Sequence, residues 1–224
     1  SRGDNFGTSI LTSLPSTKNN KNLRPERTKS WEAGLELNTL GGRLGLDASI
    51  YKVNTVDQLM PVEQSRTTGY SFRWVNAGEL QNKGVEVSIT GTPIQLSGFK
   101  WDVNMNWSKN VNTVVDLYQG VENIVLGSYQ GGVSLNATKG ERYGTIRGTG
   151  FQYDDNGNKV VSGSGYYNAV ADQVLGVAAP DFMFGINNSF SYKGLTAGFL
   201  IDMSQGGEVY SLDMHYGQGT GQPD

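Results

Sequence analysis

From Phe99 to Ser108 apolar and polar residues alternate without a break: Phe99, Trp101, Val103, Met105 and Trp107 against Lys100, Asp102, Asn104, Asn106 and Ser108. Strand side chains point alternately to two faces, so this segment is a strand with one apolar and one polar side. The pattern recurs. Trp31, Ala33, Leu35 and Leu37 oppose Glu32, Gly34, Glu36 and Asn38. Leu44, Leu46, Ala48 and Ile50 oppose Gly45, Asp47 and Ser49, in a strand reading on through Tyr51 and Val53 to about Leu59. Val85, Val87 and Ile89 close a third strand whose earlier half, Trp74 to Lys83, is polar on both faces. Phe182, Phe184, Ile186, Phe190 and Tyr192 share a parity that Asn188 interrupts. Leu195, Ala197, Phe199, Ile201 and Met203 share another, with Leu200 out of place on the polar side. These are about six strands, the expectation being all-β and antiparallel.

Composition agrees. Gly contributes 31 of 224 residues and Asn 19, aromatics reach 10%, and charged residues are only 17%. Gly and Asn build turns, while aromatic and β-branched residues suit strands. The chain has 18 Lys+Arg against 21 Asp+Glu, one His and no Cys. That balance gives no basic footprint for nucleic acid. It also supplies no disulfide framework and no zinc site of the usual His/Cys type. No apolar run reaches the ~20 residues of a membrane helix, and no signal segment opens the chain. The polar start at Ser1 and the stop at Gln222-Pro223-Asp224 read as a piece cut from a longer protein.

Alternation alone fits both a membrane barrel and a soluble β-sandwich, since each buries one strand face. Three features favour the barrel. The fourth strand spans the ~9–11 residues that cross a bilayer, where soluble strands run to ~5–6. Short turns at 39–43, 91–98 and 193–194 interleave with long connections at about 60–73, 110–179 and from 205 onward, the asymmetry of bacterial barrels. Trp101 and Trp107 are placed at opposite bilayer interfaces. The apolar parity then faces lipid. Glu32, Glu36, Asp47, Glu86, Lys100, Asp102 and Asp202 face a wet lumen, and the polar half of the third strand continues the wall outside. The resulting division is a polar segment over 1–27, barrel wall over 28–204 with a long extracellular loop at about 110–179, and the truncated start of another extracellular loop over 205–224. Six strands leave two open edges, which lipid does not tolerate, so the segment is not a functional unit by itself. The alternative is a soluble β-sandwich carbohydrate-binding module.

Two motifs carry a family resemblance. The first is Leu23-Arg24-Pro25-Glu26, leading into Trp31-Glu32-Ala33-Gly34-Leu35-Glu36; the second is Asn76-Ala77-Gly78-Glu79-Leu80-Gln81-Asn82-Lys83-Gly84-Val85-Glu86. With Thr92-Pro93-Ile94, Asp154 to Val161, Leu175-Gly176, Pro180-Asp181 and Tyr192-Lys193-Gly194, the chain from Leu23 to Tyr216 resembles the C-terminal barrel region of SusC/RagA-like TonB-dependent outer-membrane transporters. The resemblance implies an integral outer-membrane β-barrel importing oligosaccharides, or in some members peptides. It also implies a SusD-like surface lipoprotein as lid, and TonB acting through a plug region upstream of this segment.

No residue is assigned a catalytic, cofactor or metal role, no cofactor is expected, and the substrate-binding residues stay unknown. Asp154-Asp155-Asn156-Gly157-Asn158 lacks the acidic pattern and final Glu of a calcium loop, and Asn-Gly signals a hairpin turn pairing Tyr143–Tyr153 with Lys159–Tyr166. His215 has no partner motif. No G-x-S-x-G or G-x-x-x-x-G-K-[ST] is present. Arg2-Gly3-Asp4 is short enough to occur by chance. Tyr129, Tyr143, Phe151, Tyr153, Tyr166 and Tyr167 offer faces that stack on sugar rings, or else pack the loop and meet the lid protein.

Overall fold

The computed structural model describes residues 4–6, 9–11, 15–118 and 120–221. Arg2 and Gly3 of the Arg-Gly-Asp triplet lie outside the described residues, as does the closing Gln222-Pro223-Asp224. The strands are β1 (Asp4–Phe6), β2 (Ser9–Leu11), β3 (Thr17–Lys18), β4 (Arg27–Thr39), β5 (Leu44–Val56), β6 (Leu59–Glu63), β7 (Phe72–Asn76), β8 (Glu79–Leu96), β9 (Phe99–Asp116), β10 (Asn123–Tyr129), β11 (Val133–Thr138), β12 (Thr145–Phe151), β13 (Ala169–Val177), β14 (Pro180–Tyr192) and β15 (Leu195–Gly206). One helix, α1 (Leu212–Gly219), follows, its N-terminus capped by the Ser211 hydroxyl, which accepts from Met214 N–H at 3.3 Å.

The six long alternating segments form one antiparallel sheet, in the order β15-β14-β9-β8-β5-β4. Their registers lock the alternation of one strand to that of the next, because a slip of one residue would put every apolar side chain on the wrong face. Thus Leu37 opposes Leu46, Leu46 opposes Ile89, Ile89 opposes Met105, Met105 opposes Ile186 and Ile186 opposes Ile201. On the other face Glu36, Asp47, Ser88, Asn106, Gly185 and Asp202 make an equally continuous row. A sandwich would cover one face with a second sheet. Here Leu35, Leu37, Ile50, Phe199, Ile201 and Met203 all remain exposed, and β4 and β15 are open edges, so the sheet neither stacks nor closes.

The structure corrects the reading of 91–98 as a turn. β8 runs on to Leu96, and only Ser97-Gly98 turns, with Gly98 at φ 90°. Gly91 opposes Val103 and Ile94 opposes Trp101, so β8 spends three steps where β9 spends two. That bulge takes up Pro93, which has no N–H for a ladder, and keeps Ile94 and Leu96 on the apolar face. The third strand is also not continuous from Trp74. It breaks at Ala77-Gly78, where Gly78 has φ 101°, and Trp74 to Asn76 belong to β7, in a small sheet of order β3-β7-β6. Glu79 to Lys83 alone continue the wall.

Asn110 to Asp116 belong to β9, and the chain beyond it folds into a second antiparallel sheet, β10-β11-β12-β13. The core lies at this end of the molecule. Val114, Leu117 and Ala137 are buried together, with Met60, Leu80, Val121 and Ile124 packed against them. Apolar packing therefore joins the loop sheet to the ends of the wall strands and leaves both wall faces bare.

Candidate functional site

The two signature motifs meet. Asn76 Nδ2 donates to Arg24 O at 2.7 Å while Asn76 Oδ1 accepts from Arg24 N at 2.7 Å, a two-way clasp on one backbone residue. The same amide donates to Asp57 O at 2.9 Å. Glu26 takes Leu59 N–H at 2.7 Å, and the Asp57 carboxylate takes Arg24 at 3.2 Å and Arg27 at 2.9 Å. Gly78 turns the chain beside this clasp, and a Cβ there would lie 2.9 Å from Met60 Cε and 3.3 Å from Asp116 O. In the second motif, Gly84 lies opposite Tyr51, whose ring occupies the space a Cβ on Gly84 would need. The motifs thus hold the ends of the wall strands to the long connections beside them.

The polar face of the six-stranded sheet brings together every residue the sequence placed there. Glu32, Glu36, Asp47, Glu86, Asp102 and Asp202 share it, with Lys100 the single cation among the paired rows. Amides fill the spaces between: Asn38, Asn82, Asn104, Asn106, Asn110, Asn112 and Asn187. Lys100 bridges to Asp102 at 2.7 Å, and Thr92 in the bulge donates to the same carboxylate at 2.7 Å. This face is wet chemistry: hydrogen-bond donors and acceptors with an excess of negative charge. Leu200 and Met183 are apolar exceptions on it.

The opposite face is apolar through the rows from Leu96-Phe99-Tyr192-Leu195 up to Ile50-Val85. Asn188 is a polar exception within the band: it is buried, and its Oδ1 accepts from the Trp101 indole at 3.2 Å. Trp101 stacks on Phe190 at 5.6 Å, and Phe190 on Phe199 at 6.1 Å, an aromatic group at the short-turn end. Trp107 lies nearer the other end, against Phe182 at 6.3 Å. Phe99 to Lys109 spans about 33 Å along the strand. Strands tilted as in barrels bring that near the ~25 Å apolar band of an outer-membrane wall.

The six loop aromatics do not form one platform. Phe151 and Tyr167 meet edge to face at 5.3 Å, and Lys159 Nζ caps the pair, 3.9 Å from the Phe151 centroid. Tyr129, Tyr143, Tyr153 and Tyr166 are exposed at separate places, Tyr166 most of all at 77%. The Asp154 turn forms a tight hairpin, with Tyr153 paired to Lys159. Chain 159–167 then folds back on itself, with Val161 paired to Tyr167, while β12 pairs with β11 and β13. Asp154 Oδ1 accepts the N–H groups of Asn156 and Asn158 at 2.9 and 2.8 Å, and its carboxyl is held below the usual range chiefly by Asn158. Amide donors, pointing at the oxygens a cation would need, make this a turn lock. His215 is exposed on α1 between Tyr210 and Tyr216. Among the described residues no cluster of metal-ligating side chains occurs.

Sequence reasoning missed the ion pairs that seat the loop sheet. Arg142 bridges Asp181 at 2.7 Å and donates to Pro180 O at 3.0 Å, and Arg147 pairs with Glu141 and with Asp172 at 3.3 Å. Nothing local in the sequence marks these partners.

The model of the TonB dependent receptor-like β-barrel family matches residues 1–210. TonB-dependent receptor P26 of Formosa agariphila is 32% identical over 220 residues, covering 88% of this chain and 22% of that protein. TonB-dependent receptor SusC of Bacteroides thetaiotaomicron is 26% identical over 221 residues, covering 92% of this chain and 22% of its own length. Among solved structures, the RagAB peptide transporter matches with a TM-score of 0.70 at 20% identity, over 90% of this chain and 23% of that chain, a likeness of fold. The chain spans about a fifth of the length of the curated relatives it matches. An uncovered apolar face, a polar face in register behind it and the family match agree: this chain belongs to the TonB-dependent receptor-like β-barrel family.

Proposed function

We propose that the complete protein imports oligosaccharides across the outer membrane as the barrel of a SusCD-type complex, with a SusD-like lipoprotein as lid and TonB supplying the pull through a region outside this segment. The observation that carries the cargo class is the polar face. Its rows of carboxamides, interrupted by carboxylates, offer the paired donors and acceptors that hydroxyl-rich molecules use, and its negative excess disfavours polyanions. The likeness to TonB-dependent receptors, among them SusC, supports TonB-driven uptake, and the cargo class rests on the polar face.

Deletion of the gene tests it. Uptake of a labelled neutral oligosaccharide is expected to fall to background, with monosaccharide growth unchanged, and the tagged receptor should co-purify a surface lipoprotein. Loss of peptide uptake with oligosaccharide uptake intact would replace the cargo class with peptides.

A further inference from the structure

The outward face of the sheet changes character where its apolar band ends. In the band's last row Val85 already opposes Lys109; in the next row Trp31 opposes Lys52 and Lys52 opposes Lys83, and in the row after that Lys29 stands opposite Asn54. Four ammonium groups therefore share one face of four neighbouring strands, over the three successive rows that start with Ile50 and Val85, on the side of the long connections. Lys52 and Lys83 are direct cross-strand partners, an arrangement of like charges that is unfavourable without a counter-charge. Among the described residues none of the four makes an ion pair. The nearest acid on that face, Glu79, is taken by Asn54 Nδ2 at 2.6 Å, and Asp57 by Arg24 and Arg27. A groove of about 520 Å³ lies between Lys29, Trp31, Lys52 and Asn54. The sheet's acids do not answer this charge, since six of them lie on the opposite face.

We propose that Lys29, Lys52, Lys83 and Lys109 form a docking site for the phosphate groups of an anionic lipid in the outer leaflet, with Trp31 at the headgroup boundary. The long aliphatic stems lie along the top of the apolar band and carry the ammonium groups to headgroup depth. Each basic residue near a charged lipid surface adds attraction, and four on one face of neighbouring strands add up. Trp31 suits the same layer, its ring apolar and its indole N–H polar. The site rests on the sheet being outer-membrane wall and not on the cargo, so failure of the uptake experiment leaves it standing.

The test uses the full-length receptor in neutral detergent, titrated with bisphosphorylated lipid A and read by native mass spectrometry. The K29Q/K52Q/K83Q/K109Q variant is expected to lose at least about tenfold in apparent affinity. Chemically dephosphorylated lipid A should bind wild type and variant alike, and K100Q, on the opposite face, should bind as wild type. Where the quadruple variant fails to fold, K52Q/K83Q serves, and in lipid-free detergent it should be at least as thermally stable as wild type because it removes a like-charge pair. Equal affinity of wild type and variant for the bisphosphorylated lipid overturns the proposal. So does inorganic phosphate raising the melting temperature of wild type as much as the lipid does, which would make the site one for free anion.

Discussion

At the scale of single residues, the parity of a side chain decides what a substitution costs. Val103 lies in the apolar band between Gly91 and Asn188, and Asn104 beside it lies in the polar row with Thr90 and Asn187. In the membrane-inserted receptor, Val103→Arg is expected to cost about 2–4 kcal/mol near the midplane, because no water solvates the guanidinium there. Asn104→Arg should cost much less, and a denaturant titration of folding in bilayers compares the two. Asn188 provides a second case. Asn188→Val strands the Trp101 indole N–H, at a cost of about 1–3 kcal/mol, whereas the double variant with Trp101→Phe, which removes both partners, should recover most of it. A double-mutant cycle of unfolding free energies measures the coupling, and a coupling near zero would mean the bond contributes nothing. At the Asp154 turn the carboxyl is held below its ordinary value of 3.8 by Asn158 and neighbouring N–H donors. Since the folded-state value lies below the unfolded one, the turn's stabilisation is complete above the ordinary value and is lost as pH falls through the folded value. Carboxyl chemical shifts of Asp154 against pH should give a midpoint below that of a free Asp.

Between elements, the joints matter more than the strands. The β7–β8 corner is fixed by Asn76, which holds Arg24 in both directions, and by Gly78, whose left-handed φ other residues adopt with strain. Asn76→Ala is expected to destabilise by about 1–3 kcal/mol and to speed hydrogen exchange at the Arg24 amide selectively. Unchanged exchange there would show that the clasp is not what orders the segment before β4. Long strands were legible because each carries its own alternation. The β8 bulge was not, since Gly91-Thr92-Pro93 reads locally as a turn, and only the pairing of Ile94 with Trp101 shows that the strand continues. The loop sheet was illegible for a related reason. Its strands are short, and two of the ion pairs that seat them, Arg142 on Asp181 and Arg147 on Asp172, join residues far apart in the chain.

For the whole molecule, the decisive fact is a sheet with two bare faces and two open edges. Unpaired strand edges template association, and an uncovered apolar face adds to it. The 224 residues alone are therefore expected to aggregate in buffer and to regain β-type circular dichroism only in detergent. A monodisperse species with a cooperative melt in plain buffer would contradict a wall segment that needs lipid and neighbouring strands. The proposed lipid site belongs to this scale too, since it needs four strands in register before all four lysines share one face.

The sequence by itself determined the number of wall strands, which of their residues face apart and, through two motifs, the family. These are properties of consecutive residues, carried by a period of two and by short local patterns. Tertiary structure alone decided the register that gathers acids on one face and lysines at the end of the other, the bulge that carries β8 past Pro93, and the pairing of Asn76 with Arg24. Each of these depends on residues of different strands arriving side by side, and no local pattern encodes which partner a strand will meet.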